Sequence, residues 1–152
     1  MKGRILILLM AVVFALPSFS QAKKKHNDRD SRRQEMLEMK MNFIADEMQL
    51  NDAQKKQFFE VYAQMENERR AVFKKIKKAE KAIADNKDAS EADYDRASRE
   101  IAAARAEMTT IEQQYDDKFA TFLTKKQIYL MKTAENKFLD KMKSARDKKK
   151  RN

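Results

Sequence analysis

From residue 23 to residue 152 the chain contains no glycine, no proline and no cysteine; the only glycine is Gly3 and the only proline is Pro17. Proline removes a backbone donor and clashes with the preceding turn, while glycine loosens the backbone and supplies positive φ. A long stretch without either residue is expected to be almost wholly α-helical, with turns built from Asp, Asn and Ser. It cannot form the glycine-rich loop that cradles nucleotide phosphates, so it is expected to work without ATP. The missing cysteines exclude a disulfide framework and suit an oxidising compartment.

The residues before this stretch have a different character. Lys2 and Arg4 precede an apolar run from Ile5 to Leu16, then Pro17, then the small residues Ser20 and Ala22 flanking Gln21. This pattern predicts a secretory signal over residues 1–22, cleaved before Lys23. The run is shorter than the roughly 20 residues of a membrane span, so no membrane insertion is expected after cleavage. No cysteine follows the run, which excludes lipid attachment there. The expected location is a bacterial periplasm.

The whole chain has a net charge of +10, of which Lys2 and Arg4 supply two. The excess gathers in Lys23–Lys25, in the cluster Lys74, Lys75, Lys77, Lys78 and Lys81, and in Lys148–Arg151. Such runs attract polyanions or acidic partners, or simply keep a chain soluble. Export argues against nucleic acid as the partner.

Apolar spacing predicts four helices in one domain over residues 31–145, between a disordered basic leader (23–30) and a disordered basic tail (146–152). The first, from about Ser31 to Gln49, carries Leu37, Met41, Ile44 and Met48 at spacings of 4, 3 and 4. The second, 52–84, is about 50 Å long. Its stripe is Phe58, Tyr62, Met65, Arg69, Val72, Ile76, Ala79 and Ile83, a coiled-coil seam with Arg69 as its one charged interruption. Residues 85–90 read as a loop with Ser90 capping a third helix, 91–122, whose stripe runs from Tyr94 to Phe122. A fourth, to about Ala145, buries Ile128, Met131, Ala134, Phe138 and Met142. The fold class is all-α, with the second and third helices forming a long antiparallel hairpin. So thin a hairpin buries little by itself, so the outer helices are expected to pack on it and a homodimer to form.

Two helix starts share one pattern. Leu50-Asn51-Asp52-Ala53-Gln54 opens the second helix and Leu123-Thr124-Lys125-Lys126-Gln127 opens the fourth. Asn51 and Thr124 are expected to cap by accepting from the backbone three residues on, and Gln54 and Gln127 to bond back, completing capping boxes. Leu50 and Leu123 are expected to act as hydrophobic staples.

The paired motifs, after an export signal and on a small basic helical chain, resemble the Spy/CpxP family of periplasmic LTxxQ-motif proteins. Leu123, Thr124 and Gln127 match the motif fully; Asn51 replaces Thr in the first copy beside Leu50 and Gln54. The resemblance spans nearly all of residues 31–145. It implies a cradle-shaped homodimer that binds unfolded or partly folded proteins without ATP and suppresses their aggregation in envelope stress. It also implies, as an alternative, a regulatory ligand of an envelope-stress sensor kinase's periplasmic domain. Zinc- and nickel-binding relatives exist, but a lone His26 and the absence of Cys depart from them, so neither metal nor other cofactor is expected.

Catalysis is not expected either, since a nucleophile–base–orienter arrangement would need His26, or a perturbed Lys or Glu in a pocket. What the seam does not use is an apolar surplus: Met36, Met39 and Phe43 on the first helix, and Phe59 and Phe73 on the second with Arg70 nearby. These residues either pack on other helices or a second copy, or form a client-binding surface in which methionine adapts to many shapes. A Skp-like chaperone of outer-membrane proteins shares the basic, helical, exported character, but its β-stranded body needs turns for which this chain lacks glycine.

Overall fold

The computed structural model describes the backbone of residues 19–151 and the side chains of residues 28–151. The export signal expected over residues 1–22 therefore falls largely outside the described residues. Four helices follow in chain order: α1 (Phe19–Glu47), α2 (Asp52–Ala84), α3 (Glu91–Ala120) and α4 (Lys125–Arg151). No strand occurs among the described residues, and the fold is all-α. The chain divides into two units between Glu35 and Met36. In the first, Arg33 pairs with Asp30 one turn before it at 2.6 Å.

α2 has the bounds its pattern predicts, and α3 is two residues shorter than expected. The outer helices are longer. α1 is helical through residues 23–30, where a disordered leader is expected, and α4 continues through residues 146–151, expected as a disordered tail. The physical reason is shared: both segments are rich in Lys and Arg, which are good helix formers, and neither contains Gly or Pro. At the end of α4, Lys148, Lys149, Lys150 and Arg151 also set positive charge against the negative end of the helix dipole.

The chain's lack of glycine has a visible cost at the end of α1. Gln49 N–H bonds to the Asp46 carbonyl at 3.0 Å, and Leu50 N–H to the Ala45 carbonyl at 3.1 Å. This is a Schellman closure, whose C′ position takes left-handed backbone and favours glycine. Here Gln49 occupies it at φ 53°. At the hairpin loop, Asn86 N–H reaches the Ile83 carbonyl at 3.1 Å, and the Asn86 side chain accepts from Asp88 N–H at 3.2 Å. Ser90 then caps α3: its hydroxyl accepts from Asp93 N–H, and the Asp93 carboxylate accepts from Ser90 N–H at 3.0 Å. The hydroxyl and backbone N–H of Ser90 hold the Asp93 carboxyl below its ordinary pKa.

α2 and α3 pack closely as an antiparallel pair, and α4 joins α3. The contiguous core sits at the end of the hairpin away from its loop. Phe58, Tyr62, Tyr115 and Phe119 are essentially inaccessible there. Phe119 touches Phe58, Tyr62, Tyr115 and Phe122 at ring separations of 5.9 to 6.5 Å. α1 contributes Met41, Ile44, Ala45 and Met48, and α4 contributes Met131 and Ala134. Toward the loop the seam thins to alanine: Ala79 and Ala97 are buried but lie outside the contiguous core. Tyr94, expected in the α3 stripe, is half exposed.

Candidate functional site

The two similar helix starts meet in space. Gln54 N–H donates to the Asn51 side chain at 2.9 Å, and Asn51 N–H to Gln54 Oε1 at 3.3 Å. Gln127 N–H donates to Thr124 Oγ1 at 3.2 Å, and Thr124 N–H to Gln127 Oε1 at 3.0 Å. Both expected capping boxes are therefore formed. Each glutamine then spends its remaining amide hydrogens on the other element. Gln54 Nε2 donates to Gln127 Oε1 and Gln127 Nε2 to Gln54 Oε1, both at 3.3 Å. Gln54 Nε2 also reaches the Phe122 carbonyl, just past the end of α3, at 3.2 Å. The staple differs between the two copies. Leu123 is buried with Ile128 at N4, but the N4 residue of α2 is Lys55, so Leu50 packs on the core instead.

About four helix turns along α2 from Gln54, Arg69 ties three helices. Its guanidinium lies 3.1 Å from Glu66 on α2, 3.6 Å from Glu112 on α3 and 3.3 Å from Glu135 on α4. Lys40 of α1 joins the same two carboxylates, Glu66 at 3.3 Å and Glu135 at 3.4 Å. The Tyr62 hydroxyl donates to Glu135. Burial disfavours the Arg69 charge, but Glu135, Glu66 and Glu112 outweigh it and raise its pKa. Burial, then the Glu135 charge and hydrogen bond, push the Tyr62 phenol far above its ordinary range. A cleft of about 120 Å³ opens beside this network, between Met65, Glu112 and Met131. Each of its charged groups faces an opposite charge, so the network ties the four helices together. The one charged interruption of the α2 seam is thus paired within the chain, to carboxylates of α2, α3 and α4. Lys40, Glu66, Glu112 and Glu135 were invisible as partners; the lone charge in an apolar stripe was the one signal.

The apolar surplus divides by exposure. Met36 is 42% exposed, Met39 51% and Phe73 52%. Phe43, Phe59 and Arg70 are half-buried, and both rings rest against the core cluster. Each of the three phenylalanines carries a lysine ammonium over its ring: Lys141 over Phe43 at 5.0 Å, Lys55 over Phe59 at 5.7 Å, and Lys77 over Phe73 at 5.5 Å. Phe43 also meets Phe138 of α4 at 5.8 Å, so the α1 face bearing Met36 and Met39 leads onto α4. The spacing of Met36, Met39 and Phe43 keeps them on that one face. Tyr129 and Leu139, which lie off the apolar stripe of α4, add exposed apolar area. Among the described residues no group of acidic or histidine side chains is arranged to hold a metal ion.

Compared with protein-family models, with curated proteins and with solved structures, the chain has no match in any of the three.

Proposed function

We propose that the chain is an ATP-independent chaperone of the bacterial periplasm that binds unfolded or partly folded proteins and suppresses their aggregation. The observation that carries this reading is the exposed set Met36, Met39 and Phe73, flanked by half-buried rings capped with lysine. Large apolar side chains left in water at several places suit extended apolar segments of a client, and methionine adapts to their varied shapes. Ammonium groups over the rings would draw acidic segments in first and sharpen the salt dependence of encounter. Pairing of two copies into a cradle belongs to the same reading, supported by the thinness of the hairpin near its loop. Analytical ultracentrifugation tests the pairing separately.

The decisive experiment dilutes a denatured client into buffer with the purified protein and no nucleotide, and follows light scattering. Near-equimolar protein should suppress scattering, and Met39→Ser with Phe73→Ser should weaken suppression several-fold at unchanged helicity. A folded, helical protein that leaves scattering unchanged at low salt would sink the reading. The regulatory alternative, binding to a sensor kinase's periplasmic domain, draws support from Arg70, Lys74 and Lys78. These lie at four-residue spacing along α2 and have no carboxylate partner among the described residues. Saturable binding to an acidic sensor domain, abolished by replacing those three, would favour it.

A further inference from the structure

Among the described residues, cationic side chains without a carboxylate partner crowd most densely at the end of α4. Around the core, Lys40, Lys55, Lys132 and Lys137 each face a carboxylate. Past Phe138, α4 leaves the core: Met142 is half-buried, and Lys143, Arg146, Lys148, Lys149, Lys150 and Arg151 are exposed. None of these six forms an ion pair among the described residues, and Asp147 offers only its backbone carbonyl, to Arg151. Because the segment is helical rather than disordered, its charges have fixed directions. Leu139, Lys143, Arg146 and Lys150 recur at spacings of 4, 3 and 4, so they form one stripe about 16 Å long. Leu139, at the head of that stripe, is 59% exposed. Asp140 and Asp147 fall to one side of it.

We infer that this face of α4 docks on an anionic phospholipid surface. A rigid cationic stripe with an exposed apolar residue at one end is the chemistry of a helix lying in a lipid interface, drawn by phosphate headgroups and seated by its apolar side chain. Nucleic acid fits less well, because residues 139–151 offer no aromatic ring on which a base could stack. The adsorption is peripheral, since no helix among the described residues is long and apolar enough to cross a membrane. It rests on α4 alone and is independent of the chaperone reading.

The test is co-sedimentation of the full protein with phosphatidylcholine vesicles in which one quarter of the lipid is phosphatidylglycerol. Binding should appear on these vesicles, be absent on pure phosphatidylcholine, and weaken with added salt. Lys143→Gln, Arg146→Gln and Lys150→Gln together should lower the affinity about 100-fold. Leu139→Gln should lower it several-fold without changing the salt slope. A control of equal charge, Lys56→Gln with Lys87→Gln and Arg105→Gln, should leave it within a few-fold. All these positions are exposed or half-buried on the surface, and circular dichroism confirms that each variant is folded. Equal losses in both triple variants would overturn the inference in favour of net charge alone. Tighter binding to single-stranded DNA or polyglutamate than to the anionic vesicles would overturn it in favour of another polyanion.

Discussion

The two ends of the α2–α3 hairpin are built from the same repeating stripe, yet they are held in different ways. At the end away from the loop, aromatic rings fill the seam, α1 and α4 cover it, and side chains from distant parts of the chain close a polar network over it. Toward the loop, residues 73–103 make no hydrogen bond, ion pair or ring contact with α1 or α4 among the described residues. There the seam is Ile76, Ala79, Ala97 and Ile101, and a cleft of about 220 Å³ opens beside Ala79, Ile83 and Ala97. Its ties are surface ion pairs such as Lys75–Glu107 at 2.6 Å, each worth about 1 kcal/mol or less. The lesson is that heptad spacing alone produces a hairpin, and covering helices with large side chains turn part of it into a core.

The sharpest way to break this contrast is to shorten one side chain at each end. Phe119→Ala removes a ring that meets four others and should cost about 3–5 kcal/mol in urea unfolding. Ile101→Ala, half-buried near the loop, should cost about 1 kcal/mol. Equal costs would mean that both ends are packed alike. Next comes Arg69→Met, which leaves Lys40 alone to offset Glu66 and Glu135 and removes the cation beside Glu112. Arg69 is about a third exposed, so the loss should be about 2 kcal/mol, below that of a fully buried charge pair.

Alkali should act on the same end. Burial and then the Glu68 carboxylate push Tyr115 up to about 12, from 10.0, and its hydroxyl donates to Glu68 at 2.7 Å. Its pKa is raised on folding, so its contribution is complete below pH 10.0 and is lost as pH climbs toward 12. Thermal melts across that window should fall for the natural protein and fall less steeply for Tyr115→Phe. An unchanged slope would remove Tyr115 from the account.

Smaller effects sharpen the junction itself. Gln127→Glu preserves the capping-box acceptor but deletes the amide that reaches Gln54, so a box acting alone predicts no loss. The joined boxes predict a loss of about 1 kcal/mol in the urea midpoint. Smallest, and opposite in sign, Gln49→Gly should stabilise by up to about 1 kcal/mol, since glycine accepts the left-handed backbone there without a Cβ clash. A destabilised Gln49→Gly would show that the side chain matters more than the backbone.

Much of the fold was legible because it is local. The absence of Gly and Pro, the spacing from Phe58 to Ile83, and the caps at Asn51, Ser90 and Thr124 depend on residues three or four apart, and those distances are set by helix geometry itself. The same local logic reaches less far at the outer ends of α1 and α4, where charged runs that read as disorder lie within helices, since Lys and Arg propagate a helix well. The candidate surface was legible only as a list of surplus apolar residues. Which of Met36, Met39, Phe43, Phe59 and Phe73 remain in water depended on where α1 and α4 lie.

What the sequence determined by itself was a set of helices, their beginnings and the stripes they present. Tertiary structure alone decided that Gln54 would bond to Gln127, that Arg69 would bind carboxylates from three helices, and that Phe73 would stay uncovered. Helix formation is governed by neighbours along the chain. The meeting of residues 73 positions apart is governed by how whole helices pack, and no local spacing encodes that.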